Sequence, residues 1–386
     1  MAPIRLGVVG LSTRGWASQA LIPPIFTPPL SSLYTLTALC TSSEASAKAS
    51  VEKYSGLAGH PVKGYYGEKG PEQLANDPNV DMVVVSVKIP DHLKTVTPAI
   101  EAGKKLFVEW TLGNGARETE MIAEAIRSKN LECLIGAQAK QSKTVRKVKE
   151  LVDAGKIGRI LSTSAIVSAA PAEANIWGPI VTPDAEYASS VNNGATPLTV
   201  EIGHFLVALT DVLGDFSQVC ANGAVRFPTA KVITYDGQPT GKSIQSTSHD
   251  QVSLSGILSG KPHSEGAFVN IHCRSGLTHS GEGGKGRRQF IWVIDGEDGS
   301  IEVRSREADG PYAFSLTIAD IEVFLNGVEV PLDEIEEDKL GNTGKAWLHF
   351  ANGDEGKYPT INDAIRLHRV LDAALLSIQE GRKVKV

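Results

Sequence analysis

The first fifteen residues constrain this chain most. Ile4-Arg-Leu-Gly-Val-Val-Gly10 is a short apolar run that stops on glycine, and a polar turn then leads into residues 16–21 with helical spacing. Strand, glycine turn and helix in that order open a βαβ unit, whose crossover returns the next strand parallel to the first. The alternation continues. Residues 33–40 read as a strand before an alanine-rich helix at 43–54, and residues 82–87 form a β-branched run suited to burial on both faces. Residues 93–102 and 118–129 have helical spacing, and residues 105–109 and 132–137 read as strands. Such regular alternation predicts a doubly wound parallel sheet.

At 386 residues the chain is longer than a single core usually grows, so two domains are expected. After residue 150 the strands lengthen and become more polar, with glycine-rich turns at 256–260 and 281–286. Strand candidates at 160–168, 218–227, 250–258, 267–274, 288–295 and 300–305 predict an open, mainly antiparallel sheet covered by helices at 199–213 and 360–379. The expected division is residues 1–140 and 141–386. A net charge of -6 lacks the basic excess that direct nucleic-acid binding leaves. No apolar run approaches the roughly 20 residues that cross a bilayer, and no leader-like segment precedes the first strand, so a cytoplasmic protein without a membrane partner is expected. Cys40, Cys133, Cys220 and Cys273 lie far apart, which suits reduced, buried thiols and no metal site.

Gly10-Leu11-Ser12-Thr13-Arg14-Gly15 occupies the place of a GxGxxG fingerprint, where backbone amides approach a pyrophosphate. Ser12 stands where the second glycine belongs, so it either widens the loop or offers its hydroxyl to phosphate. An acidic residue usually ends the second strand of NAD-binding domains, but here the chain reads Cys40-Thr41-Ser42-Ser43. Hydroxyls tolerate a 2′-phosphate that Arg14 or Lys48 neutralises, which favours NADP(H), while Glu44 as a substitute ribose ligand keeps NAD(H) open.

Three stretches carry a family resemblance: Met82-Val-Val-Val-Ser-Val-Lys-Ile-Pro-Asp-His92, Ala102-Gly-Lys-Lys-Leu-Phe-Val-Glu-Trp110 and Lys149-Glu-Leu-Val-Asp-Ala-Gly-Lys-Ile-Gly158. Together they resemble the glucose-fructose oxidoreductase and inositol dehydrogenase (Gfo/Idh/MocA) family. The Phe107-Val-Glu-Trp110 run, the turn ending in Trp16 and Tyr358-Pro-Thr-Ile-Asn-Asp-Ala-Ile-Arg-Leu-His-Arg369 look most like its fungal galactose-pathway repressor branch. The resemblance implies an N-terminal Rossmann domain holding a nicotinamide dinucleotide and a C-terminal domain taking a sugar, polyol or related substrate. It also implies cofactor contacts from the glycine turn through Trp16, from Thr41 and Ser42, from Val87, Lys88 and His92, and from Glu109, Trp110 and Gln138.

Glu109 matches the acid of the family's Glu-Lys-Pro motif, but Trp110 and Thr111 replace the lysine and proline, which puts the family's usual hydride-transfer mechanism in doubt. Tryptophan donates no cationic hydrogen bond, although it can wall the pocket or stack on substrate. Lys88 and Lys140 are candidates for the missing charge. His204 matches the family's proton-exchanging histidine; Val200 stands at the helix Asp position, and Glu201, on the same helical face three residues earlier, is expected to orient His204 or raise its pKa. The alternative for His204 is a helix histidine hydrogen-bonded across the domain junction. Trp177 and Tyr187, in the irregular segment 169–193, are candidate substrate-stacking residues. His272 and His279 lack a third ligand at metal spacing, and Lys285-Gly-Arg-Arg288 reads as a solvated hairpin turn.

Two function classes remain. One is an NAD(P)(H)-dependent oxidoreductase acting on a small oxygenated metabolite, with His204, Glu201, Lys140 and Lys88 as its proton-moving and polarising residues; a variant uses transient oxidation for epimerisation or elimination. The other is a catalytically silent NAD(P)-binding sensor, akin to the repressor, that acts through protein contact. An open sheet also predicts a homodimer through the C-terminal domain.

Overall fold

A computed structural model of the chain describes residues 2–168, 175–276, 288–305 and 321–386. His279, residues 285–287 and the whole glycine turn at 281–286 lie outside them, as does the start of the 169–193 segment. The chain divides into two compact units: Met1–Gln141 with Ile335–Ile365, and Ser142–Glu334 with Arg366–Val386.

The first unit is built on β1 (Ile4–Val9), β2 (Tyr34–Thr41), α1 (Glu44–Ala58), β3 (Lys63–Tyr66), α2 (Gly70–Ala75), β4 (Met82–Val85), α3 (His92–Glu101), β5 (Lys105–Glu109), α4 (Ala116–Ser128) and β6 (Cys133–Gly136). Its six strands pair in parallel in the order β3-β2-β1-β4-β5-β6. Reversal of strand order beside β1 makes the switch point at which doubly wound sheets bind ligands. Every residue of β4 is buried, as the β-branched run required. Between β1 and β2 the expected helix at 16–21 is a five-residue π turn, Ala17–Leu21, followed by the 3₁₀ turn Pro23–Phe26. Pro23 and Pro24 have no N–H to extend an α-helix.

The second unit begins with α5 (Lys143–Asp153) and β7 (Ile160–Ser168), then β8 (Ile180–Val181) and α6 (Gly203–Leu213). Its strands continue as β9 (Asp215–Ala224), β10 (Thr229–Ile233), β11 (Pro239–Gln245), β12 (Gln251–Ser259), β13 (Phe268–Arg274), β14 (Phe290–Gly296), β15 (Ser300–Ser305), β16 (Ile321–Leu325), β17 (Val328–Val330) and β18 (Val384–Lys385). Nine of these form a mixed sheet in the order β17-β16-β15-β14-β7-β13-β12-β9-β18, antiparallel except where β7 meets β13. Alternating burial along β12 and β13 marks one face as core. There Phe205 of α6 sets its ring edge-on to Trp292 and Phe290, each at 5.4 Å. The final carbonyls of α6 are taken by Lys261 Nζ, 2.5 Å from Asp211 O and 3.1 Å from Val212 O. The helical stretch Val191–Leu213 is long and apolar enough to cross a membrane, contrary to the sequence expectation, but 83% of its apolar window is buried inside the protein.

The sequence division differs from these units at one place. Residues 335–365 were assigned to the second domain, yet α7 (Gly341–Asn352) packs into the first. Trp347 is fully buried there, stacked on Phe107 at 4.9 Å, with its indole N–H on Leu21 O at 3.0 Å and its carbonyl accepting from Tyr34 Oη at 2.8 Å. Its large apolar ring fills the core beside β2 and β5. The chain then enters α8 (Ile361–Glu380), which spans the boundary between the two units.

Candidate functional site

Gly10 closes β1 with φ of 96°, and a Cβ there would lie 1.9 Å from Ser86 O. Only glycine permits this approach between the ends of β1 and β4. Gly15, with φ of 93°, ends the turn. Ser12 resolves the choice left by the sequence: its hydroxyl folds into the loop, donating to Arg14 O and accepting Arg14 N–H at 3.3 Å. Donors also hold the loop's other carbonyls. Tyr54 Oη lies 3.4 Å from Ser12 O, Ser18 Oγ lies 3.1 Å from Thr13 O, and Lys53 Nζ reaches Thr13 O at 3.4 Å and Ser18 Oγ at 2.8 Å. A planar trans peptide points its N–H opposite its C=O, so the amides of Thr13 and Gly15 face away from these donors. Leu11 is fully buried and anchors the turn from beneath.

A cavity of about 310 Å³ opens at the carboxyl ends of β1, β2 and β4. Of the residues singled out from sequence, Gly10, Ser12, Thr41, Ser42, Val87 and Lys88 line it. Ser46, Asp91 and Lys94 line it too and escaped the sequence reading; α1 carries Ser46, α3 carries Lys94 and the 3₁₀ turn Ile89–Asp91 before α3 carries Asp91, and no motif marks them. Asp91, the one carboxylate in this lining, is paired with Lys94 at 2.6 Å. Hydroxyls and lysines against a glycine turn suit a ribose and its phosphates. Thr13, Arg14, Gly15, Trp16, His92, Glu109, Trp110 and Gln138 do not line the cavity.

Several of these instead form its support. His92 is fully buried, with Nδ1 2.7 Å from Thr111 O and Nε2 3.1 Å from Val87 O, so it ties the loop after β4 to the loop after β5 and does not present its ring to the cavity. Burial pushes its pKa down. Glu109, 8% exposed, accepts the Trp16 indole N–H at 2.8 Å through Oε1 and the Trp110 N–H at 3.3 Å through Oε2. Burial raises its carboxyl from 4.5 to about 8. Trp110 is buried at 6% exposure, and a cis peptide joins it to Thr111. Gln138 is buried with no hydrogen-bond partner for Nε2, while Lys140 is partly buried at the end of the 3₁₀ turn Gln138–Gln141.

In the second unit His204 lies in the first turn of α6, and burial pushes its pKa from 6.5 down to about 4. The net shift is downward, opposite to the rise expected from Glu201. Glu201 belongs to a π turn, Leu198–Ile202, that precedes α6. Trp177 is buried and donates its indole N–H to Ala195 O at 2.9 Å. Tyr187 sits in the 3₁₀ turn Glu186–Ser189, where burial raises its hydroxyl pKa. All four cysteines are free thiols. No cluster of metal-ligating residues occurs among the described residues.

Comparison with known proteins agrees with this architecture. Residues 4–137 match the oxidoreductase family with an NAD-binding Rossmann fold, and residues 144–305 match the Gal80p C-terminal domain. Dehydrogenase aclE of Aspergillus oryzae is 30% identical over 391 residues, covering 98% of this chain and 97% of that protein. The chain belongs to the Gfo/Idh/MocA oxidoreductase family. Within that family it lies near the Gal80 branch: the galactose/lactose metabolism regulatory protein GAL80 of Saccharomyces cerevisiae is 26% identical, covering 100% of this chain and 95% of that protein. A super-repressor mutant of the same yeast's Gal80p superposes with a TM-score of 0.82 at 22% identity, covering 100% of this chain and 98% of that one. Levoglucosan dehydrogenase, solved with NADH and L-sorbose, shares the Gfo/Idh/MocA fold at a TM-score of 0.72 and 16% identity, covering 100% of this chain and 99% of that one.

Proposed function

We propose that this protein is a cytoplasmic NAD(P)(H)-dependent oxidoreductase that moves hydride to or from a small oxygenated metabolite of the sugar, polyol, ketone or imine class. The observation that carries this reading is the cavity under the Gly10 turn, where strand ends, hydroxyls and lysines converge. A bound nicotinamide supplies the hydride chemistry; the chain's residues bind, orient and move a proton. The Gly10–Gly15 turn takes the pyrophosphate, with Gly10 and Ser12 lining the cavity. Thr41, Ser42 and Ser46 take the adenosine ribose, and the absence of an acid at the end of β2 favours NADP(H) over NAD(H). His204, neutral at pH 7 because burial lowers its pKa, accepts the proton as a substrate alcohol is oxidised. Lys140 and Lys88 are the candidate polarising cations, and Trp177 and Tyr187 belong to the substrate side. The protein works as a homodimer joined through the nine-stranded sheet.

A second reading has its own support. Trp110 stands where the family motif has lysine and is buried, and the regulatory protein GAL80 matches the whole chain. These favour a dinucleotide-binding sensor that acts by protein contact. Incubating the protein with NADPH and a panel of aldehydes, ketones and imines separates the two. Absorbance loss that His204→Ala abolishes supports the enzyme; dinucleotide binding without turnover, together with capture of a transcription-factor partner, supports the sensor.

A further inference from the structure

We infer that Glu109 is a positioning residue for the dinucleotide loop, acting through the Trp16 indole without touching the dinucleotide. This rests on the dinucleotide reading above. Three segments of the first unit converge on its carboxyl group. Trp16, at the start of the π turn that follows Gly15, donates its indole N–H to Oε1 at 2.8 Å. Trp110, at the end of β5, donates its backbone N–H to Oε2 at 3.3 Å. Gly136, which ends β6, leaves the space the carboxyl fills, since a Cβ there would lie 2.2 Å from Oε2. The indole, the Trp110 amide and the Gly136 backbone carry no titratable group, so the carboxyl is held in a dry, uncharged pocket.

The arrangement adds a hold on Trp16 to those that Tyr54 and Lys53 place on Ser12, Thr13 and Ser18. Those side chains hold the carbonyls of Ser12 and Thr13, whereas Glu109 holds the side chain immediately after Gly15. A turn pinned at both ends presents its amides in a fixed geometry before a ligand arrives, which removes ordering cost from binding. The buried acid is also the weak point. Burial raises it to about 8, so it is mostly protonated at neutral pH. Above pH 8 the pocket holds a buried carboxylate with no cationic partner among the described residues, and this added negative charge disfavours an anionic dinucleotide.

The test is NADP(H) and NAD(H) binding by calorimetry from pH 6 to 9.5, on wild type, Glu109→Gln, Glu109→Ala and Trp16→Phe. Alongside it, ¹⁵N-tryptophan spectra, in which Trp16→Phe identifies the Trp16 indole signal, report the hydrogen bond directly. Glu109→Gln keeps the acceptor and should bind as wild type does at pH 7. Glu109→Ala and Trp16→Phe should both weaken binding roughly tenfold, the size of one lost buried hydrogen bond. Wild-type affinity should fall above pH 8 as the indole signal titrates, and the Gln variant should show neither change. Wild-type binding that Glu109→Ala and Trp16→Phe leave unaltered overturns this inference alone. Failure of the wild type to bind either dinucleotide overturns both this inference and the dinucleotide reading.

Discussion

Replacing Trp347 by alanine should unravel the first unit and leave the second intact. The indole is fully buried, stacks on Phe107 at 4.9 Å, meets Tyr34 edge-on at 5.1 Å and donates to Leu21 O at 3.0 Å. Truncating a buried tryptophan costs about 3–5 kcal/mol through lost transfer energy and the cavity left behind. Leaving Leu21 O without its donor works in the same direction. At about 1.4 kcal/mol per tenfold change in an equilibrium constant, this raises the open population of the unit roughly 100- to 3000-fold. A two-unit chain need not unfold in one step, so the assay must resolve the units. Hydrogen exchange followed by peptide mass does so. Peptides from Tyr34–Thr41 and Lys105–Glu109 should exchange faster by about that factor, while those from Gln251–Ser259 and Phe268–Arg274 keep wild-type rates. Equal acceleration in both units, or none in the first, refutes the assignment of residues 335–365 to the first unit's core.

Three further outcomes follow from the same geometry. Gly10→Ala places a methyl 1.9 Å from Ser86 O on a backbone with φ of 96°, so it should cost more than about 2 kcal/mol and abolish dinucleotide binding, read by urea midpoint and calorimetry. Glu109 is raised in the folded state from 4.5 to about 8, so the folded chain holds the extra proton between those values and stability falls as pH rises through that window. Comparing urea midpoints of wild type and Glu109→Gln at pH 5 and pH 8.5 should therefore show a loss of a few kcal/mol in wild type that the variant lacks. His204 is lowered from 6.5 to about 4, so its neutral form persists well into acid, and the acid limb of kcat/KM for alcohol oxidation should fall near pH 4 and not near 6.5.

The parallel sheet was legible because five of its six strands are short apolar runs closed by turns, and their length and flanking turns distinguish them from the helices between them. β3 was missed: Lys63-Gly-Tyr-Tyr66 carries no apolar alternation and forms a strand only because β2 offers it an edge. α7 was misplaced for a different reason. No helix was marked there from sequence, and 335–365 was placed with the second domain by position, whereas its core is chosen by contacts of Trp347 with Tyr34, Phe107 and Leu21, more than 200 residues away. At the site, Gly10, Ser12, Thr41, Ser42, Val87 and Lys88 were found because strand ends fix them, whereas Ser46 and Lys94 arrive on helix faces that no motif marks. His92 and Glu109 were recognised as important and given the wrong neighbours. Motif matching locates a polar residue near a ligand, but only coordinates show that its polar atoms are already spent on Thr111 and Val87 carbonyls or on the Trp16 indole. The downward shift of His204 was not legible because burial of its ring, which residue spacing does not report, outweighs the rise expected from Glu201.

Calorimetric titration of the wild-type chain with NADP(H) and NAD(H) bears most directly on the central claim, that the turn from Gly10 to Gly15 and the cavity beneath it bind a pyridine dinucleotide. The account predicts saturable heat at one site per chain, tighter for NADP(H), and its loss in Gly10→Ala. Absence of heat with both dinucleotides contradicts it.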